Sequence, residues 1–177
     1  MDIIHLVTFM SVAEHHFGME RALFVAQYES PETKRLLREA GELAAGVDGE
    51  LVILHVMAEE EYEELAESRR EARARSRSIR QLGGYPLTQA SDDAKRLAER
   101  MGWHALDDLD LEWLAVGSVG DEVKQILSVA EDFECDHLFV VGKRRSPSRK
   151  AIFGDLAQRL VLQFDGPVTV LVSEEES

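Results

Sequence analysis

The chain has 177 residues, 45% of them hydrophobic and 31% charged, enough for one domain with a real core and an elaboration. Its net charge of −14 disfavours nucleic acid and anionic membrane as general partners, and no apolar run is long enough to span a bilayer. A single cysteine, Cys135, excludes an internal disulfide and, just ahead of an apolar run, reads as a buried, inert thiol.

The basic residues are 15 Arg against 5 Lys. An acidic chain with that bias fits a protein kept soluble in high salt, a halophilic composition; an ordinary acidic cytosolic protein is the alternative. The opening "MDIIHLVTFMSVAEHHFGME" has neither a basic start nor a small-residue cleavage site, so a cytoplasmic location is expected. Residues 1–20 read as an N-terminal extension: a tail, a packed helix or a misread start.

Ala22–Tyr28, "ALFVAQY", reads as a buried strand. A helix follows, with Ser30 as N-cap, Pro31 in the first turn, Gly46 at the end, and Leu36, Leu37, Ala40, Leu43 and Ala44 on one face. Glu50–Met57 is a continuous apolar strand, as expected for one covered on both faces. "AEEEYEELAESRREARARSRSIRQ" begins with glutamates and ends with arginines, the order that complements a helix dipole, and Glu71 with Arg75 forms an i,i+4 pair. It opens a helical elaboration over 58–90. The arginines at 69, 70, 73, 75, 77 and 80 read as a helix surface facing acidic neighbours. Without interleaved aromatics they make nucleic acid an unlikely partner.

After the "LGGYPLT" break, a helix runs from an N-cap at Ser91 to a stop at Gly102. Leu111–Gly117 is a third strand. The next helix turns Val123, Ile126, Leu127 and Ala130 inward. "DHLFVVG" is a fourth strand, "DLAQRLVLQF" a helix, and Pro167–Val172 the last strand, ahead of an acidic tail at 174–177. Strands alternating with helices over 21–173 argue an α/β domain with a parallel sheet wound on both faces. Ligands in such sheets gather beyond the carboxyl ends of the strands, where strand order reverses.

The carboxyl end of the fourth strand runs into one such loop, "VGKRRSPSRKAIFGD". Lys143, Arg144, Arg145, Arg149 and Lys150 crowd one loop of an acidic chain, between Gly142 and Gly154. Such a loop suits an anion; a solvated loop paired with acidic neighbours is the alternative. The histidines assemble no site: His15 and His16 lack metal-ligand spacing, and His55 and His137 fall at opposite ends of parallel strands. No nucleophile elbow, supported Ser-His-Asp pattern or metal motif occurs, so no catalytic or metal residue is assigned and the chain is not expected to be an enzyme. Trp103 and Trp113 flank the third strand as packing residues.

"DHLFVVG" running into "KRRSPSRKAIFGDLAQRLVLQFDGPVTVLV", with "ELVILHVM" and "GSVGDEVKQIL" before it, resembles the universal stress protein family over roughly Ala22 to Val172. The resemblance implies five parallel strands in the order 3-2-1-4-5, a Rossmann-like sheet with helices on both faces. Nucleotide-binding members carry Gly-x2-Gly-x9-Gly-Ser/Thr after the fourth strand, where glycines let the backbone approach phosphate and a helix start attracts it. Here Gly142 and Gly154 match the outer glycines. Arg145 stands nearest the missing middle one, the interval is one residue short, and Asp155 replaces Ser/Thr. Tyr28 stands where binding members place an aspartate. The resemblance therefore implies a stress-response module with a degenerate phosphate loop and weak or absent ATP binding. The anion site would be Gly142, Lys143, Arg144, Arg145, Ser146, Gly154, Asp155 and Ser30. The alternative is a nucleotide-binding or slowly hydrolysing member using the basic loop 142–154. No cofactor is required; ATP or another phosphate-bearing anion is the ligand to test. The family also implies a homodimer, paired through Val168, Val170 and Val172 of the last strand.

Overall fold

A computed structural model describes residues 5–9, 18–75, 84–143 and 155–173. The strands are β1 (His5–Phe9), β2 (Arg21–Val25), β3 (Glu50–Met57), β4 (Trp113–Val119), β5 (His137–Lys143) and β6 (Val168–Ser173). The helices are α1 (Pro31–Ala45), α2 (Glu59–Arg75), α3 (Leu87–Leu106), α4 (Glu122–Asp132) and α5 (Asp155–Gln163). One sheet runs β4-β3-β2-β5-β6-β1. Its first five members are parallel, and they are the five strands read from the sequence in the expected order 3-2-1-4-5.

The sixth strand corrects the reading of residues 1–20 as an extension beside the fold. His5–Phe9 pairs antiparallel with β6, His5 opposite Val172 and Phe9 opposite Val168. The outer edge of Val168, Val170 and Val172, which the resemblance assigned to a dimer, is thus occupied from within the same chain.

Alternation along the central strands builds two cores. Ala22, Phe24, Leu51, Ile53 and Phe139 face α1 and α3. Leu23, Val25, Val52, Leu54, Leu138 and Val140 face α4 and α5. Each such aliphatic or aromatic side chain withdrawn from water contributes roughly 1.5–3 kcal/mol.

Local chemistry sets the helix ends. Ser30 caps α1, its hydroxyl accepting from the Thr33 amide at 3.0 Å, a cap worth about 1 kcal/mol. The buried stripe of α1 is Thr33, Leu36, Leu37, Ala40, Gly41 and Ala44, while Leu43 is 45% exposed and falls outside it. α3 begins before Ser91 and continues through Gly102 to Leu106. Gly102 is not a stop. A Cβ there would lie 2.5 Å from the Trp113 ring, so the glycine lets that indole seat against the helix. α2 buries none of its residues. It is held through Tyr62 and Ala66, which pack on Met57, Tyr85, Ala90 and Ala94.

Cys135 lies buried ahead of β5. Burial pushes its thiol up to about 11, although the Arg21 charge pulls the other way. An ordinary thiol titrates near 8.5. At pH 8 the native thiolate fraction is therefore about two orders of magnitude below that of a free cysteine. Reaction with an aromatic disulfide should be slower by at least that factor in native protein than in denaturant. Complete reaction within seconds under native conditions would contradict the burial.

Candidate functional site

The parallel strands end together at one rim of the sheet, and strand order reverses between β2 and β5. A cavity of about 530 Å³ opens at that reversal. Gln27 and Tyr28 reach it from the exit of β2, Ala58, Glu59 and Glu60 from that of β3, and Gly120, Asp121 and Glu122 from that of β4. Val141 of β5 and Asp155, Leu156, Ala157 and Arg159 of α5 complete the described lining. Gly120 makes the turn from β4 into α4 at φ 135°, a backbone that only glycine adopts without strain.

The site residues expected from sequence divide four ways. Asp155 and Tyr28 line the cavity. Gly142 is buried within β5, next to Val141, and Lys143 ends that strand. Ser30 does not line the cavity; its hydroxyl is engaged with the amide and hydroxyl of Thr33, both at 3.0 Å. Arg144, Arg145, Ser146, Arg149, Lys150 and Gly154 lie outside the described residues.

Sequence reasoning singled out Asp155 but missed the carboxylates that accompany it. Glu59, Glu60, Asp121, Glu122 and Asp155 line the cavity, against one described cation, Arg159. Their positions share a cause. Each follows a strand or opens a helix, where a carboxylate satisfies free amides and opposes the positive helix end. Asp121 caps α4, accepting from the Lys124 amide at 3.0 Å. Glu59 and Glu60 stand in the first turn of α2, and Asp155 in that of α5. Three helix starts that could attract a phosphate thus already carry their own negative charge. Burial raises the Glu122 carboxyl above its usual range, with Asp121 adding to the rise and the His55 and Arg159 charges opposing it. Among the described residues no three His, Cys, Asp or Glu side chains gather closely enough to hold a metal ion.

The histidines fall where the strands put them, at opposite ends. His55 Nδ1 donates to the Ala26 carbonyl at 2.7 Å, and His137 Nε2 bonds the Thr169 hydroxyl at 2.8 Å. Both are satisfied structural groups. The arginines of α2 meet acidic partners: Arg70 pairs with Glu67, Arg75 with Glu71 at 3.0 Å, and Arg69 with Asp93 at 3.7 Å. Aromatics do reach this cluster. Arg69 lies 3.9 Å over the Tyr85 ring, which stacks on Tyr62. Those rings are spent on anchoring α2. Arg77 and Arg80 lie outside the described residues. No described helix is long and apolar enough to cross a membrane.

Among known proteins, the family model of the universal stress protein family matches residues 19–172. Among solved structures, the hypothetical protein MJ0577 superposes with a TM-score of 0.61 at 18% identity, over 89% of this chain and 99% of that one. A universal stress protein from Archaeoglobus fulgidus DSM 4304 gives 0.57 at 18% identity, over 86% of this chain and 45% of that one. Universal stress protein UspA from Lactobacillus plantarum gives 0.55 at 14% identity, over 88% of this chain and 99% of that one. No curated protein matches the sequence. At these identities the structures speak for the fold alone. The family match runs from Met19 to Val172, from β2 to β6 on a sheet of the same strand order, and the chain belongs to the universal stress protein family.

Proposed function

We propose that the chain is a non-catalytic regulatory module of the stress response, in which the family's nucleotide cavity has become acidic and holds ATP weakly or not at all. One observation carries this reading: α2, α4 and α5 each present their own carboxylate to the cavity that a triphosphate would enter. A carboxylate about 7 Å from a phosphate charge costs on the order of 2 kcal/mol at an effective dielectric of about 20. Two such contacts outweigh the roughly 1.4 kcal/mol that separates each decade of affinity. Arg159 offsets part of this. The basic loop after Gly142 supports the alternative, a nucleotide-binding member that uses those side chains in place of the lost glycine.

Calorimetry with ATP, AMP and inorganic phosphate separates the two. Wild type should give no ATP heat below millimolar ligand. Asp155→Ser, alone and with Glu59→Gln and Glu60→Gln, should gain ATP affinity by up to roughly thirty-fold per carboxylate removed. Low-micromolar ATP binding in wild type, unmoved by these substitutions, would overturn the reading in favour of the alternative.

A further inference from the structure

In the parallel β5–β6 ladder the Leu138 amide donates to the Pro167 carbonyl. Continuing that alternation through the register turns the amides and carbonyls of Thr169 and Leu171 toward β5. The same alternation turns those of Val168, Val170 and Val172 outward, and these are the residues opposite Phe9, Val7 and His5 of β1. β1 therefore satisfies the outward backbone of β6.

Uncovered, that edge would be a template for another strand. Its sequence, Val168–Ser173, has no charge, no proline and no bulge-forming glycine, the features that blunt natural edges. It is also self-complementary. The outward groups sit symmetrically about Val170, so an antiparallel second copy would set Val170 against Val170 and Val168 against Val172. β1, once seated, leaves an outer edge of five residues, one fewer than β6.

The tether permits closure within one chain. β1 runs antiparallel to β6, so Phe9 and Arg21 both lie at the amino ends of the parallel strands. β1 and β2 are three strand spacings apart, about 14 Å. The eleven residues between Phe9 and Arg21 span more than about 30 Å when extended. A tether of that length holds its strand at an effective concentration on the order of millimolar, above any micromolar concentration of a second copy.

We propose that β1 is a cap held in cis over a self-pairing surface: with β1 seated the protein is a monomer, and with β1 removed two copies join through β6. Each copy remains strongly acidic without β1, since the full chain carries −14 and residues 1–17 hold only Asp2 and Glu14 of its acidic residues, and like charge opposes that union, so it should tighten with salt.

Light scattering after size exclusion tests this at tens of micromolar protein, in physiological and in molar salt. The full chain should elute as a monomer of 19.9 kDa. A chain beginning at Gly18 should run at twice its own mass, more completely in molar salt. Adding Val172→Pro, which removes an outward amide of β6, should return the truncated chain to monomer. A dimeric full chain, a monomeric truncation, or a truncated dimer indifferent to Val172→Pro would each overturn the proposal. If the truncated chain precipitates, Val7→Pro in the full chain gives the reading instead: it removes the amide facing Val170, a dimer is expected, and a monomer overturns the idea.

Discussion

Phe24→Ala is expected to remove about 3–5 kcal/mol of folding free energy and to lower the melting temperature by roughly 10 °C or more. Phe24 is fully buried on β2, the middle strand of the parallel five. In register it lies between Ile53 of β3 and Phe139 of β5, on the face covered by α1 and α3. Both neighbours are themselves fixed in strands, so the space left by the ring cannot close cheaply. The cost then combines lost transfer energy with a residual cavity. Urea and thermal unfolding measure it, with Leu162→Ala as the comparison. Leu162 is 77% exposed and should change stability by less than about 0.5 kcal/mol. A loss under about 1 kcal/mol at Phe24 would mean that this face of the sheet repacks around the hole.

Phe24 also marks what could be read from sequence. The five parallel strands were legible because each is a short apolar run bounded by caps or turn residues, and Ser30-Pro31 announced α1 without ambiguity. β1 was not. Its five residues carry no turn signal, and their partner, Val168–Val172, lies at the other end of the chain. Pairing across that interval leaves no periodic trace. α3 was misread because Gly102 has two uses that sequence does not separate: ending a helix, or clearing room for a ring. The cavity was half legible. Asp155 was visible as a departure from a motif. Glu59, Glu60, Asp121 and Glu122 were hidden among 34 acidic residues, and only the common rim of the strands brings them to one wall.

The second large effect is expected at Gly117. Gly117 lies on β4 under α3, and a Cβ there would stand 2.1 Å from the Ser91 carbonyl oxygen, 2.2 Å from the Lys95 amide nitrogen and 2.8 Å from the Lys95 Cα. All three are backbone atoms of one helix, so no rotamer change relieves the overlap. Either α3 lifts from β4 or the strand sinks toward α4. Lifting α3 strips cover from Ala115 and loosens Ala98, Met101 and Ala105 in the core beneath it. Overpacking of side chains against side chains costs about 1–3 kcal/mol, and a clash with a helix backbone lies at or above the top of that range. Gly117→Ala should therefore cost about 3 kcal/mol or more, with a fall in melting temperature of roughly 10 °C. Gly84→Ala, where a Cβ would meet nothing within 4 Å, should leave it unchanged. The effect should also reach the cavity, because β4 leads directly into Gly120, Asp121 and Glu122 on its wall. Amide exchange should rise first along α3 and β4. A Gly117→Ala protein that melts within about 2 °C of wild type would show that α3 does not approach β4 this closely.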